Sequence, residues 1–251
     1  MDIMFFAGGL LAGVINTLAG NGSALTVSLL LFGGMDGASA NATNRIGVMS
    51  QTLTGIFSLR KSSRKNYLFL KGRNLIFPTA LGSVTGGIIG SQISAEIMEW
   101  SLAVVMTGML FALFSKKERW KGYSDSRRSL SNWKSIFYFF FIGFYGGYVQ
   151  MGIGVLMLTV LVLADKWSLR DANVIKLLMA AVLSIPAGLI YMFNDMIVWK
   201  PALILAAGSS LGAWFGARYI VRIPKAQQYV RLLLIIVITG GAIQALYKAI
   251  M

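Results

Sequence analysis

The stretch NTLAGNGS at residues 16–23 decides the fold, because it interrupts a run of apolar residues that would otherwise extend from residue 3 to residue 35. A helix needs about 20 apolar residues to cross the hydrocarbon core of a bilayer. The run that follows the interruption, 23–35, is too short to cross comfortably. The stretch is therefore predicted to be the tip of a broken helical hairpin.

A second interruption of the same kind occurs at Gly152-Ile153-Gly154, between the apolar runs 134–150 and 152–164. It lies 132 residues after Gly20-Asn21-Gly22. Because the run 152–164 is again short, this segment is predicted to be the tip of a second hairpin.

Other pairs of motifs follow the same order in both halves of the chain. Ala40-Asn41 matches Ala172-Asn173 at an offset of 132, and the pattern Gly-Ser-x-x-Gly-x-x-x-Gly begins at Gly82 and again at Gly208. Small residues at this spacing let helix backbones approach closely, so we interpret these glycines first as packing positions and only second as substrate contacts. The sequence predicts one membrane domain made of a first repeat, 1–115, a basic linker, 116–133, and a second repeat, 134–251.

The composition places the whole chain in a bilayer. The 251 residues are 56% hydrophobic and only 13% charged, about half the charged share of a soluble domain. The mean hydropathy is +0.69. Besides the hairpin arms, the apolar runs are 43–59, 74–94, 99–114, 172–193, 199–220 and 229–249. We predict an all-α integral membrane protein in which each repeat is a broken hairpin plus three transmembrane helices.

The net charge of +14 comes from basic residues that cluster in short segments between the apolar runs, at 60–73, 116–134 and 218–231. Such clusters mark the cytoplasmic side and attract anionic lipid headgroups, which is a better account of the charge than nucleic acid. The loops near Glu96 and Asp195 then lie outside. This assignment puts both termini outside and makes the second repeat an inverted copy of the first. Inverted repeats with broken helices are typical of transporters that bind substrate near the bilayer midplane.

The residue types that are absent from the sequence limit the chemistry that the protein can perform. The sequence has no cysteine and no histidine, so the main ligands of zinc, copper and iron and the usual imidazole proton shuttle are lacking. All nine acidic residues lie at or near loops or the ends of apolar runs, which argues against a carboxylate proton relay and a carboxylate-rich cation site. Without a catalytic triad or a metal-ligand cluster, the sequence predicts neither an enzyme nor a cofactor.

Polar residues at the two tips and at the helix starts after them are the candidate substrate-binding residues. A helix that starts after a tip directs unpaired N–H groups and a positive dipole end into the site, which suits an anion. The alternative is a plain turn, in which Asn and Gly provide left-handed conformations. The candidates are Asn16, Asn21, Gly22, Ser23, Asn41, Asn44, Arg45, Gln150, Gly152, Gly154, Asn173 and Lys176.

Two of these candidates, Arg45 and Lys176, are cations that lie about a turn inside apolar runs, one register step apart in the repeat. An ionisable residue within a membrane helix is a functional hypothesis by default. The alternative is that both side chains extend to the interface. The sequence leaves both interpretations open.

The order and doubling of these motifs resemble the TauE/SafE family of sulfite-exporter-type (TSUP) membrane permeases. The resemblance rests on the glycine breaks at 20–22 and 152–154, the stretch Ala40-Asn41-Ala42-Thr43-Asn44-Arg45, Ala172-Asn173 followed by Lys176, and the two Gly-Ser-x-x-Gly-x-x-x-Gly blocks. It differs where Asn21 and Ser23 flank Gly22 and where Val155 follows Gly154. These tips often carry a further glycine in the family, so the departure bears on the substrate more than on the fold.

The resemblance implies a multi-pass protein of the plasma membrane that exports small sulfur-containing anions such as sulfite or organosulfonates. Two other functions remain compatible with the sequence. One is a permease of the same fold for another small organic anion or solute, and the other is a membrane subunit that does not transport. A homodimer is compatible with all three.

Overall fold

The computed structural model describes residues 1–18, 20–58, 63–114, 133–218 and 226–250, and these residues form helices and turns without a strand. The helices of the first half are α1 Asp2–Leu18, α2 Gly22–Phe32, α3 Gly37–Ser58, α4 Ser63–Gly72, α5 Ile76–Gln92 and α6 Ala95–Phe114, with a 3₁₀ turn at Arg73–Leu75. Those of the second half are α7 Trp133–Tyr148, α8 Ile153–Leu158, α9 Leu169–Phe193, α10 Trp199–Arg218 and α11 Ala226–Ile250. A π-helical segment, Thr159–Ala164, continues α8.

Both predicted hairpin breaks are present. The chain leaves α1 and re-enters helix at Gly22, and it leaves α7 and re-enters helix at Ile153. The glycines that the 132-residue offset matches, Gly20 and Gly152, both have positive φ, +76° and +66°. This left-handed backbone favours glycine because a Cβ is strained there.

The helices pack mainly between the two halves of the chain. The glycines of α10 lie on the backbone of α1, and those of α5 lie on the backbone of α7. A Cβ on Gly208 or Gly212 would collide with the carbonyl oxygen of Phe6 or Leu10, and one on Gly82 or Gly86 with that of Phe140 or Phe144. The glycine pattern therefore serves close helix packing in both halves, which was the first of its two interpretations.

Large apolar side chains cover much of the outer surface. Ile3 is 85% exposed, Phe77 74%, Phe111 73% and Ile236 65%. Exposure on this scale would drive aggregation in water, whereas lipid solvates it. Judged by length and composition alone, two of the described helical segments are long and apolar enough to cross a membrane. They are Asp171–Phe193 and Leu232–Ile250.

Residues that the charge pattern places outside meet at one end of the bundle. Lys200 forms a salt bridge of 2.9 Å with Asp2. Lys248 donates to the carbonyls of Gly34 and Met35, and Glu99 accepts from the Gly37 N–H. Ser135 and Asp165, which the charge pattern places inside, bond to each other, with Ser135 Oγ 2.9 Å from Asp165 Oδ1.

Several helix boundaries differ from those expected from hydropathy. Two of them are the starts of α3 and α9, at Gly37 rather than 43 and at Leu169 rather than 172. Asp36 Oδ1 accepts from the Ser39 N–H, and Ser168 Oγ accepts from the Asp171 N–H, so side-chain caps rather than apolar residues set both starts. Arg45 consequently lies two turns inside α3, not one.

Another difference concerns the basic stretch 60–73, which lies between two apolar runs but contains α4. Leu68 of α4 is 1% exposed and belongs to the apolar cluster around α7 and α9. Packing of this residue supports a helix that its charged neighbours concealed. The linker 116–133 lies, apart from Trp133, outside the described residues.

Candidate functional site

The two hairpin tips meet at Gly20 and Gly154. A Cβ on Gly20 would lie 2.8 Å from the Gly154 Cα, and a Cβ on Gly154 would lie 2.6 Å from the Gly20 Cα. Only hydrogen side chains permit this approach. The fold therefore brings together two segments that are far apart in the sequence and that were both candidates for substrate contact.

Arg45 lies on α3 with its guanidinium at the broken end of α7, and its side chain is fully buried. Its Nη1 donates to the Gly146 carbonyl at 3.0 Å, and its Nη2 donates to the carbonyls of Gly147 and Tyr148 at 2.6 and 3.1 Å. The guanidinium carbon also lies 4.1 Å from the centre of the Tyr191 ring. The last carbonyls of a helix lack partners within the helix and carry its negative dipole end, so Arg45 satisfies both the hydrogen bonding and the charge of this end.

Asn41 lies one turn before Arg45 and joins α3 to the second tip. Its Nδ2 donates to the Tyr148 carbonyl at 2.8 Å, and its Oδ1 accepts from the Gln150 N–H at 3.4 Å. Gln150 in turn donates from Nε2 to Ser184 Oγ at 2.5 Å. Asn41, Arg45 and Gln150 are thus parts of one buried network at the end of α7.

Lys176 occupies the corresponding place at the end of α1. It lies on α9, is 3% exposed, and its Nζ donates to the Asn16 carbonyl at 3.4 Å. Gly22, the first residue of α2, packs against the same turn, because a Cβ on Gly22 would lie 3.0 Å from the Asn16 Cβ. The fold therefore places Lys176 and the start of α2 beside the same residue, Asn16.

A second group of polar residues lines the first turns of α2. Thr26 Oγ1 contacts Asn44 Oδ1 on α3 and lies 3.1 Å from the Ser23 carbonyl. Asn21, the residue before α2, has no side-chain bond to the helix start. Within the described residues, Asn21 Oδ1 and Asn44 Nδ2 are buried and have no hydrogen-bond partner. Buried amides without partners are uncommon in proteins, and this pair is available to a ligand.

Two candidates lie apart from these groups. Asn173 donates to the Leu169 carbonyl of its own helix at 2.9 Å. Gly152 lies beside the side chain of Met109 on α6, because a Cβ on Gly152 would lie 3.2 Å from the Met109 sulfur. Neither is brought to the two cations by a contact that the structure gives.

Four residues of these networks were not among the sequence candidates: Thr26, Tyr148, Ser184 and Tyr191. The Tyr148 carbonyl accepts from Tyr191 Oη at 3.1 Å as well as from Asn41 and Arg45. A tyrosine near the end of an apolar run resembles an interfacial anchor, so no sequence signal indicates that Tyr191 is completely buried. Thr26 and Ser184 are single hydroxyls in apolar runs, and such hydroxyls usually bond to their own helix.

The buried carboxylates in the described part of the chain lie apart from the contacts that Arg45 and Lys176 make. The buried acids Glu99 and Asp171 lie in the second turn of α6 and the first turn of α9, and Glu99 accepts from the first N–H of α3. Among the described residues, no group of three or more metal-ligating acids occurs. At Asp165, burial raises the pKa of the carboxyl, and the hydrogen bond from Ser135 acts in the opposite direction.

The arrangement can therefore hold a negative charge. Two buried cations, amide groups and the unpaired N–H groups at the start of α2 surround a contact between two broken hairpins. Broken helices occur at membrane depth where they are buried in protein or line a cavity. A helical membrane protein with this construction belongs to the transporter class.

The chain belongs to the family described as Sulfite exporter TauE/SafE, which it matches over residues 5–245. It is 26% identical to the "Probable membrane transporter protein YfcA" of Escherichia coli K12, over 99% of this chain and 90% of the relative. It is 27% identical to a "Probable membrane transporter protein" of Haemophilus influenzae, over 93% of this chain and 89% of the relative. A third relative, "Probable membrane transporter protein ORF9" of a Sinorhizobium species, is 27% identical over 96% of this chain and 90% of its own length. No solved structure matches the chain significantly.

Proposed function

We propose that this membrane transporter exports small sulfur-containing oxyanions, such as sulfite or organosulfonates, through the contact between its two hairpin tips. The observation that carries the proposal is the pair of buried cations, Arg45 and Lys176, one at the broken end of each hairpin. An oxyanion needs charge-assisted hydrogen bonds to replace its water, and cations with amide and N–H donors provide them.

The proposal includes the relation between the two halves. We propose that they are inverted repeats, with the residue pairs Asp2–Lys200 and Gly37–Glu99 at the outer end and Ser135–Asp165 at the cytoplasmic end. These contacts support an inverted relation between the two halves, because the first helix of one half, α1, then starts at one end of the bundle and the first helix of the other half, α7, starts at the opposite end. In such repeats, rocking of one half against the other exposes a central site to each side in turn.

The membrane potential provides a driving force for export. A potential that is negative inside moves an anion outward with about 2.3 kcal/mol per charge for each 100 mV. Outward transport by this route needs no coupled proton and no carboxylate to carry one. A plasma-membrane location with both termini outside, binding of anionic lipid by the basic loops, and a homodimer are further parts of the proposal.

The test is a flux assay with the purified protein in proteoliposomes loaded with sulfite. An imposed potential, negative inside, is expected to accelerate sulfite efflux severalfold over liposomes without protein. Efflux that ignores the potential, or transport of cations in place of sulfite, would contradict the proposal.

A competition series then defines the substrate class. Sulfite efflux is measured while taurine, sulfoacetate, acetate or chloride is present with the sulfite. Inhibition by the sulfonates and not by acetate supports a sulfur oxyanion carrier. Inhibition by acetate alone would favour a permease of the same fold for organic acids.

A further inference from the structure

The two buried cations occupy matching positions but bind their surroundings very differently. Arg45 on α3 donates to the last carbonyls of α7, and Lys176 on α9 donates to the Asn16 carbonyl near the end of α1. Each therefore lies at the negative dipole end of a broken helix that belongs to the other half of the chain. This shared placement lets the two side chains be compared directly.

The nitrogen atoms of Arg45 almost all have hydrogen-bond partners. Three hydrogen bonds of 2.6 to 3.1 Å hold its two terminal nitrogens, and the Tyr191 ring covers one face of the guanidinium at 4.1 Å. Of its nitrogens only Nε lacks a partner within the described residues. To bind an anion, these terminal nitrogens would have to leave the carbonyls of Gly146 and Gly147, and the loss of a bond to a buried acceptor is costly.

The ammonium group of Lys176, by contrast, uses few of its hydrogen-bond donors. An ammonium has three N–H donors, and in the described part of the chain its only hydrogen bond is the contact of 3.4 Å with the Asn16 carbonyl. A buried cation with so little compensation is unfavourable within a membrane protein unless another partner binds it. Lys176 Nζ therefore has N–H donors that a ligand could use.

The groups beside Asn16 are also incompletely bonded. Gly22 packs on Asn16 and begins α2, and the N–H groups of Gly22 and Ser23 precede the bond from the Ala24 N–H to the Asn21 carbonyl. Asn44, which is 1% exposed, has a side-chain donor, Nδ2, without a partner among the described residues, whereas the unpartnered atom of Asn21 is an acceptor, Oδ1. Whichever way the Asn44 amide is turned, one of its terminal atoms contacts Thr26 and the other remains available.

We infer that Lys176 is the cation that binds the transported oxyanion, with the start of α2 and Asn44 around it, and that Arg45 is a positioning residue for the end of α7. The inference rests on the proposed function and assigns different roles to two residues that the sequence treats alike. The anion replaces the weak contact between Lys176 and Asn16, whereas the contacts of Arg45 persist.

Three variants test the inference in the same proteoliposomes: Lys176→Gln, Lys176→Arg and Arg45→Lys. Lys176→Gln is expected to raise the KM for sulfite by about tenfold to a hundredfold, the effect of one lost charge-assisted hydrogen bond, without lowering the melting temperature. Lys176→Arg retains the charge and is expected to restore part of the affinity. Arg45→Lys is expected to lower the melting temperature, because one ammonium cannot keep all three bonds to the end of α7, and to change the KM for sulfite less than Lys176→Gln does.

The opposite pattern would overturn the inference. It is wrong if Lys176→Gln leaves the KM unchanged, or if it lowers the melting temperature as much as Arg45→Lys does, because Lys176 would then be a helix cap as well. It is also wrong if Arg45→Lys raises the KM at unchanged melting temperature. Failure of the proposed function appears earlier and separately, as a wild-type protein that transports none of the anions.

Discussion

The backbones of Gly20 and Gly154 touch at the point where the two broken hairpins meet: a Cβ on either residue would lie within 2.8 Å of the other's Cα. The two residues come from different halves of the chain and from the two segments that interrupt its apolar runs. The contact requires glycine on both sides. It also fixes the distance between the end of α1 and the start of α8, and with it the space around Lys176 and Arg45.

Substitution of either glycine by alanine should therefore impair both stability and transport. We expect Gly154→Ala to cost about 1 to 3 kcal/mol through overpacking. Gly20→Ala should destabilise the protein more than Gly154→Ala does, because the φ of +76° adds about 1 to 2 kcal/mol of backbone strain. Thermal unfolding in detergent and sulfite flux measure the two effects.

The matched control is Gly108→Ala in α6, where a Cβ would meet nothing within 4 Å. Alanine is a better helix former than glycine by about 1 kcal/mol, so this variant should be as stable as the wild type or slightly more so. If Gly154→Ala behaved like Gly108→Ala, the contact between the tips would not be important for stability.

The glycine packing between helices should be equally sensitive in the two halves. Gly86 lies against the Phe144 carbonyl and Gly212 against the Leu10 carbonyl, at matching positions of the repeat. Gly86→Ala and Gly212→Ala should thus lower the melting temperature by similar amounts, since each pushes a helix away from a backbone that cannot yield. Tolerance of one substitution and not the other would show that the two interfaces differ.

Asn41→Ala should loosen the second tip from α3. The substitution removes the donor to the Tyr148 carbonyl and the acceptor for the Gln150 N–H, both of which are buried. The expected loss of stability is about 1 to 3 kcal/mol, the effect of leaving a buried polar group unsatisfied. The control is Asn194→Ala, where the exposed side chain bonds only to its own helix end and the change should stay within about 0.5 kcal/mol.

Asp165 should make the protein less stable as the pH rises. Because burial raises the pKa of its carboxyl above the ordinary value, the folded protein holds the proton more tightly than the unfolded chain does. Stability is therefore greatest at acid pH and falls as the carboxyl ionises. Asp165→Asn removes this loss and keeps an acceptor for Ser135, so its melting temperature should exceed that of the wild type at neutral pH and approach it at acid pH. A constant difference across the pH range would contradict the assignment to this carboxyl.

The orientation of the chain can be tested directly because the sequence contains no cysteine. Single cysteines at Ser94 and Asn194 should react with an impermeant maleimide on intact cells, since the charge pattern places both loops outside. A cysteine at Ser124, in the basic linker, should react only after the membrane is permeabilised. The reverse pattern of labelling would invert the topology and the direction of transport that we propose.

The sequence predicted the helical class, both hairpin breaks and the family, because these depend on local properties. Gly20 and Gly152 interrupt apolar runs, and the left-handed backbone that they adopt is a property of glycine itself. The starts of α3 and α9 were placed too late because their caps, Asp36 and Ser168, are polar residues outside the apolar runs. Helix α4 is not predicted because its buried residue Leu68 lies in a segment that is rich in charge.

By itself, the sequence determined that polar and cationic residues follow two breaks in an otherwise apolar chain. Only the tertiary structure decided what those residues contact. Arg45 and Lys176 are equivalent as sequence signals, but one meets three carbonyls and an aromatic ring and the other meets a single carbonyl at 3.4 Å. The physical reason is that the acceptors for these two cations belong to another part of the chain, about a hundred or more residues away. Those atoms come within bonding distance only when the two hairpins pack tip to tip.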